Sequence, residues 1–393
     1  MEVKIMAKGI IVKPTIIQWA IQSSGKSIVQ VSQKFSKIDE WVSTESELSV
    51  SELNKLSKEL RIPFGYFFLK KPPVEEVDLL KYRTIDNEEH DKPSRDLIDT
   101  IKLMETRQSF MRETLIEDGF LPLEIVGSAN VNDDPKKLSK KIIAQLGLAS
   151  DWNRKSNDTF NVLRKASSDL GILVMQNGIV GNNPHRSLDI SEFRAFVLID
   201  AYAPLIFLNA KDSLNGRIFS LCHELVHVWL GVNELYNDSF YRDQTYLNEK
   251  LERFCNEVAA EMLLPTKLLI RVFKRDVDAY SNVKSISSQF SVSALMVCIK
   301  IKQQNLVTKK TFDELLGVLV EEMHDNLLAK EQSEKKSGGN YYNTQGSRLD
   351  LNFVHSVNRK AKEGKILYTE AYDLLGAKGK TYDNLVNHME GRY

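Results

Sequence analysis

Residues 220–230 read SLCHELVHVWL, an apolar run with His223, Glu224 and His227 set into its middle. The run has the length and apolar density of a buried helix, and a buried helix excludes ionisable side chains unless something compensates them. The spacing supplies a candidate. Histidines at i and i+4 stand on one helix face, within reach of a single cation. Glu224 follows the first histidine by one residue and leans to the side of the pair, where it reaches a water on the metal without ligating the metal itself. This HExxH pattern is the zinc-peptidase arrangement: zinc acidifies the water and the glutamate takes its proton. The competing reading is a core helix whose histidines are satisfied locally.

A third ligand has to come from another element, and LERFCNEVAAEMLLP, residues 251–265, is the strongest helix downstream. Glu252 and Asn256 stand four apart, so both face the first helix, one as ligand and one as the outer partner of a ligating histidine. Glu257 and Glu261 form a competing pair rotated away from that face. Leu251, Val258 and Met262 mark the apolar side and Glu252 borders it, which favours Glu252 as ligand and leaves Glu257 as a surface charge. Cys222 and Cys255 flank these residues. Cys222 lies about 100° around the helix from His223 and reads as a small buried hydrophobe. His90, His185, His324, His355 and His388 have no ligand-like spacing.

The rest of the chain sets limits. At 393 residues it is long enough for two or three domains, with ordinary apolar and charged fractions. With 53 basic and 53 acidic residues the net charge is zero, so there is no bulk attraction to nucleic acid or to an anionic membrane. The three cysteines form no CxxC pair, which suits a reducing compartment and predicts a cytoplasmic protein. Lys8 and Lys13 interrupt the apolar start, arguing against a signal peptide, and no run reaches the 18 or so apolar residues of a membrane span.

Helical patterning covers residues 12–69, with Pro14 suited to a first turn, Ser27 and Ser49 as N-caps and Gly25 as a stop. Short helices with turns between them outline a helix-turn-helix domain at 1–72. Long helical patterns follow, then strands at ILVMQ, FRAFVLI and PLIFLN. AKEQSEKKSGG, residues 329–339, is charged and ends in two glycines, so it reads as a linker before a small extension at 340–393. The span 73–328 is then the catalytic domain with trailing helices.

FSLCHELVHVWLG followed by LERFCNEVAAEMLLP resembles the ImmA/IrrE metallopeptidases, whose zinc helix reads F-T-L-A-H-E-x-x-H and whose second helix ends A-A-E-L-L-x-P. EFRAFVLID and PLIFLNAKDS resemble the lead-in of that family, so the likeness spans about residues 75 to 275. Phe254 stands where many members have an acidic residue, which leaves the ligand role to Glu252. The resemblance implies a gluzincin-like zinc endopeptidase of thermolysin-like geometry. It implies as partner a helix-turn-helix repressor or an antitoxin-like protein, in bacterial phage, mobile-element or stress-response circuits.

PTIIQWAIQSSGKSIVQVSQKF and LSKELRIPFGYFFLKKPP resemble the Cro/C1-type helix-turn-helix of larger members. The piece where a recognition helix belongs, SKIDEWVSTESELS, is short and carries Asp39, Glu40, Glu45 and Glu47, the wrong charges for a major groove. DNA binding is therefore not favoured, and a docking or structural role is. The expected fold class is α+β: a mostly helical, thermolysin-like minimal zinc-peptidase core with a small antiparallel sheet, plus helical N-terminal and C-terminal domains. In it His223, His227 and Glu252 hold Zn2+, Glu224 is the general base, and Asn256 orients a histidine. An extended substrate would pair with the strand near 193–200. The competing functions are a DNA-binding regulator or an antitoxin-like interaction protein, each with a non-catalytic zinc site.

Overall fold

The computed structural model describes residues 9–73, 93–149, 151–154, 158–232, 234–236, 246–333 and 341–391. The chain divides into two compact units, residues 1–102 and 103–393.

In the first unit β1 (Ile10–Val12) leads into α1 (Pro14–Ser23), α2 (Ile28–Ser32) and α3 (Ile38–Trp41). There follow β2 (Ser46–Leu48), α4 (Val50–Leu60) and a 3-10 turn at Phe64–Phe68. Local chemistry explains the boundaries. Pro14 occupies the first turn of α1, and Ser27 with Gln30 and Ser49 with Glu52 form capping boxes at α2 and α4. β1 and β2 pair antiparallel, Ile10 opposite Leu48, and Ile16, Ile17, Leu53, Leu56 and Phe67 fill the core. The piece where a recognition helix belongs, residues 36–49, holds only α3, a single turn of four residues, and β2. Within α3 Ile38 and Trp41 are buried, so only Asp39 and Glu40 face solvent.

The boundary at residue 102 falls inside α5 (Arg95–Glu117). The second unit continues with α6 (Pro135–Gln145), α7 (Thr159–Asp169), β3 (Leu173–Asn177), β4 (Ala195–Leu198), β5 (Leu205–Asn209), α8 (Leu214–Leu230) and β6 (Glu234–Tyr236). Then come α9 (Tyr246–Leu263), α10 (Thr266–Val272), α11 (Ala279–Gln289), α12 (Ala294–Gln303) and α13 (Lys309–Ser333). The last four helices are α14 (Tyr341–Arg348), α15 (Leu351–Lys362), α16 (Tyr368–Leu375) and α17 (Lys380–Glu390). The chain is thus mostly helical with small sheets, the α+β class. No described helix is long and apolar enough to cross a membrane.

The four-stranded sheet runs β3-β5-β4-β6 and is mixed, which corrects the expected antiparallel sheet. β4 pairs antiparallel with β5 and with β6, but β5 folds back beside β3 in parallel, Leu173 opposite Leu205. A hairpin return can lay its second strand against an earlier strand, and that placement is a tertiary choice invisible to period-two patterning. The topology also corrects the expected docking strand. Both edges of β4 are already paired at residues 195–197, which have no edge to offer a substrate.

The outer edge of β3 is closed by the C-terminal residues. Val174 donates its N–H to Asp350 Oδ2 (3.2 Å), and its carbonyl accepts from Arg164 Nη2 (3.0 Å). Gln176 Nε2 donates to the Ser347 carbonyl at 3.0 Å. Covering an edge in this way removes a template for unwanted strand pairing. Further along, buried Lys360 and its neighbour Arg359 pair with Asp118, whose carboxyl they hold down to about 2. Residues 341–391 therefore belong to the same compact unit as the four-stranded sheet. The linker reading also yields in part: α13 runs to Ser333, because Ala, Lys, Glu and Gln are good helix formers even without an apolar stripe. Residues 334–339 lie outside the described residues.

α8 packs against β4, β5 and α9. Ser213 caps its start, accepting from Gly216 N–H at 3.0 Å. It ends at Gly231, whose φ of 71° suits glycine and whose Cα carries no Cβ to meet Gly127 Cα, 3.0 Å from where one would stand. α9 is pinned at its far end by an ion pair, Glu261 to Lys300 of α12 at 2.8 Å, with Lys300 almost fully buried. Lys300 also donates to the Ala260 carbonyl (2.9 Å), and Thr266 donates to Glu261 from its N–H (3.1 Å) and its hydroxyl. α11 and α12 pack Val283, Ile286, Val297 and Ile301 into the main core.

Candidate metal centre

The site forms where α8 lies along α9. His223, Glu224 and His227 are all fully buried on α8, and Glu252 reaches them from α9 with 18% of its side chain exposed. The structure brings together His223, His227, Glu252 and Asn256, and Glu224 follows His223 on the same helical turn. Glu257 is exposed, and Glu261 is engaged by Lys300 and Thr266, so neither competes for the site.

Three donor side chains converge. His223 Nε2 and His227 Nε2 are 3.1 Å apart, and the two Glu252 oxygens lie 3.3 Å from His223 Nε2 and 3.5 Å from His227 Nε2. Tetrahedral ligands at about 2.0–2.1 Å from zinc stand about 3.3 Å from one another, so the spacing matches the edges of a coordination tetrahedron. Glu252 Oε1 is buried and, among the described residues, accepts no hydrogen bond. Such an atom is costly unless a cation or donor meets it. The donor set of two imidazoles and a carboxylate suits zinc. The residues present fit the metal.

The electrostatics agree. Burial pushes the Glu252 carboxyl up, but the His223 and His227 rings outweigh burial and hold it well below the usual carboxylate range. Glu252 is thus an anion at neutral pH, as a ligand must be. His223 Nδ1–H donates to Asn256 Oδ1 at 3.0 Å, which fixes the tautomer and leaves the Nε2 lone pair facing the donor cluster. Asn256→Ala should therefore weaken metal affinity about 10–100-fold without unfolding the chain, the usual scale for such a partner. A chelator-competition titration of both proteins measures it, and equal affinities would show that Asn256 does not orient the ring.

Two cysteines separate here. Burial pushes the Cys222 thiol up, in keeping with a small hydrophobe of the core. Cys255 differs: its Sγ lies with ring nitrogens of His223 and His227 in a cluster whose atoms are all within 4.8 Å of one another. The sequence left thiolate ligation by Cys255 open, and the structure places Cys255 in a group that could hold a metal ion. The signal was present, since 252, 255 and 256 are spaced i, i+3, i+4 on one face.

Residues 168–302 match the family model described as the IrrE N-terminal-like domain, a peptidase family, and residues 349–388 match a domain of unknown function. No curated protein matches the chain significantly. The first match contains His223, Glu224, His227 and Glu252 and points this part of the chain to metallopeptidase chemistry.

Proposed function

We propose that the protein is a zinc-dependent endopeptidase acting on a regulatory protein in the cytoplasm. The observation that carries this reading is the triangle of His223, His227 and Glu252 donors at 3.1–3.5 Å, with a buried carboxylate, Glu224, next along the same helix. His223, His227 and Glu252 would hold the metal, and Asn256 would orient His223. When bound, zinc supplies Lewis acidity to a water and to the scissile carbonyl. Glu224 takes the proton of the attacking water and later delivers it to the leaving amine. Burial of α8 excludes bulk water, so the carboxylate acts where charge is poorly screened.

The substrate is proposed to be a helix-turn-helix repressor or an antitoxin-like partner. The N-terminal unit serves as a docking module and not as a DNA reader, because α3 is one turn long and presents Asp39 and Glu40. With β4 paired on both sides, an extended substrate would add at the outer side of β6, the last strand of the described sheet.

A direct test is to incubate the zinc-loaded protein with a peptide library digested from a bacterial proteome and to map new N-termini by mass spectrometry. Cleavage that chelation abolishes is expected. A library left intact across conditions, by a protein that carries its metal, would overturn the enzymatic reading in favour of a non-catalytic site.

A further inference from the structure

The two histidines also belong to a second cluster of donor atoms, with Cys255, that the peptidase reading does not use. Cys255 is fully buried, projects from the same face of α9 as Glu252 and Asn256, and places Sγ within 4.8 Å of a nitrogen on both histidines. Its neighbours in the core make a contrast. Cys222 and Cys298 are buried too, yet among the described residues only Cys255 joins the histidines in a cluster able to hold a metal ion.

Helix geometry makes the approach specific. Residues three apart on a helix share a face, so whatever turns Glu252 toward the imidazole pair turns residue 255 the same way. A sulfur ligand at about 2.3 Å and a nitrogen ligand at about 2.0–2.1 Å stand about 3.5 Å apart around one zinc, so an ion bound here would draw Sγ and the ring nitrogens, which lie within 4.8 Å of one another, to that spacing. Thiolate is a strong zinc donor, and it is supplied here by a fully buried residue.

We propose that Cys255 is a metal ligand in the resting protein, giving a centre of two histidines, Glu252 and one thiolate. This rests on the reading of His223, His227 and Glu252 as a metal site. On binding, the ion forms a bond to Sγ and the thiol proton leaves to solvent, so charge and atoms balance. Four protein donors close a zinc site, whereas a catalytic site keeps one position for water. The resting centre is therefore closed, and the sulfur yields its position when a peptide binds. The same residue thereby sets the boundary between a structural and a catalytic centre.

The test uses cobalt(II) alone as the probe, added to metal-stripped full-length protein, and reads the electronic absorption spectrum and the bound cobalt per chain. The wild type should bind one cobalt and show an intense sulfur-to-cobalt charge-transfer band in the near ultraviolet. Cys255→Ala and Cys255→Ser should keep the cobalt and the visible ligand-field bands but lose that band. Serine, close to cysteine in size, guards against a packing defect. If wild type binds cobalt with no charge-transfer band, or if the band survives in both variants, Cys255 is not a ligand while the metal site stands. If wild type binds no cobalt, the metal site and the Cys255 proposal fall together.

Discussion

Glu224→Gln is expected to retain zinc and the fold while lowering peptide cleavage about 10²–10⁴-fold, the usual worth of a positioned acid–base group. The amide is nearly isosteric with the carboxylate, so packing around this fully buried side chain is preserved. What disappears is the ability to accept a proton from the attacking water. Loss should therefore appear in kcat more than in KM, because Glu224 is proposed to act on the reacting atoms and not on substrate binding. Single-substrate kinetics on whichever peptide the library identifies measures the split. A variant that cleaves at the wild-type rate with its metal bound would remove Glu224 from the mechanism.

The second large effect is on stability. Lys300→Met should destabilise the second unit by about 3 kcal/mol, at the lower end for breaking a buried ion pair because Glu261 keeps its Thr266 hydrogen bonds. For a unit of this size that corresponds to roughly 5 °C in Tm. Burial pushes the Glu261 carboxyl up, yet Lys300 and Thr266 prevail and hold it below the ordinary carboxylate range. A carboxylate depressed in the folded state stabilises above its unfolded pKa, and that contribution is lost as pH falls through the folded value. Wild type should thus lose part of its Tm on acidification below about pH 4.5, and Lys300→Met should lose less, its carboxylate no longer being held down. Thermal scans across pH 3–7 for both proteins, on the scale of about that window, check the claim. Parallel curves would show that the pair contributes nothing pH-dependent.

The parts of the site that could be read without coordinates are those fixed by local spacing. His223 and His227 at i, i+4, and Glu252 and Asn256 at i, i+4, meet in the structure because a helix enforces those relations by itself. Helix starts at Pro14, Ser27 and Ser49 were equally legible, since a cap is a contact within three residues. What was not legible depends on elements distant in sequence. That β5 lies parallel to β3, that β6 occupies the second edge of β4, and that Asp350 closes the edge of β3 are tertiary pairings with no local period. The role of Glu261 was hidden for the same reason, its partner Lys300 being on another helix. Cys255 is a different failure. Its face was computable from its neighbours, but a buried cysteine ordinarily reads as a small hydrophobe, and only its proximity to both imidazoles distinguishes it.

The account turns on whether one ion is held between α8 and α9 by the donors described. Metal content of purified protein, by mass spectrometry under non-denaturing conditions, measures this most directly in wild type and Glu252→Ala. One zinc per chain in wild type, and its loss or easy removal in Glu252→Ala with helical content unchanged, is the predicted result. Wild type without stoichiometric metal after reconstitution, or Glu252→Ala holding zinc as firmly as wild type, would contradict it.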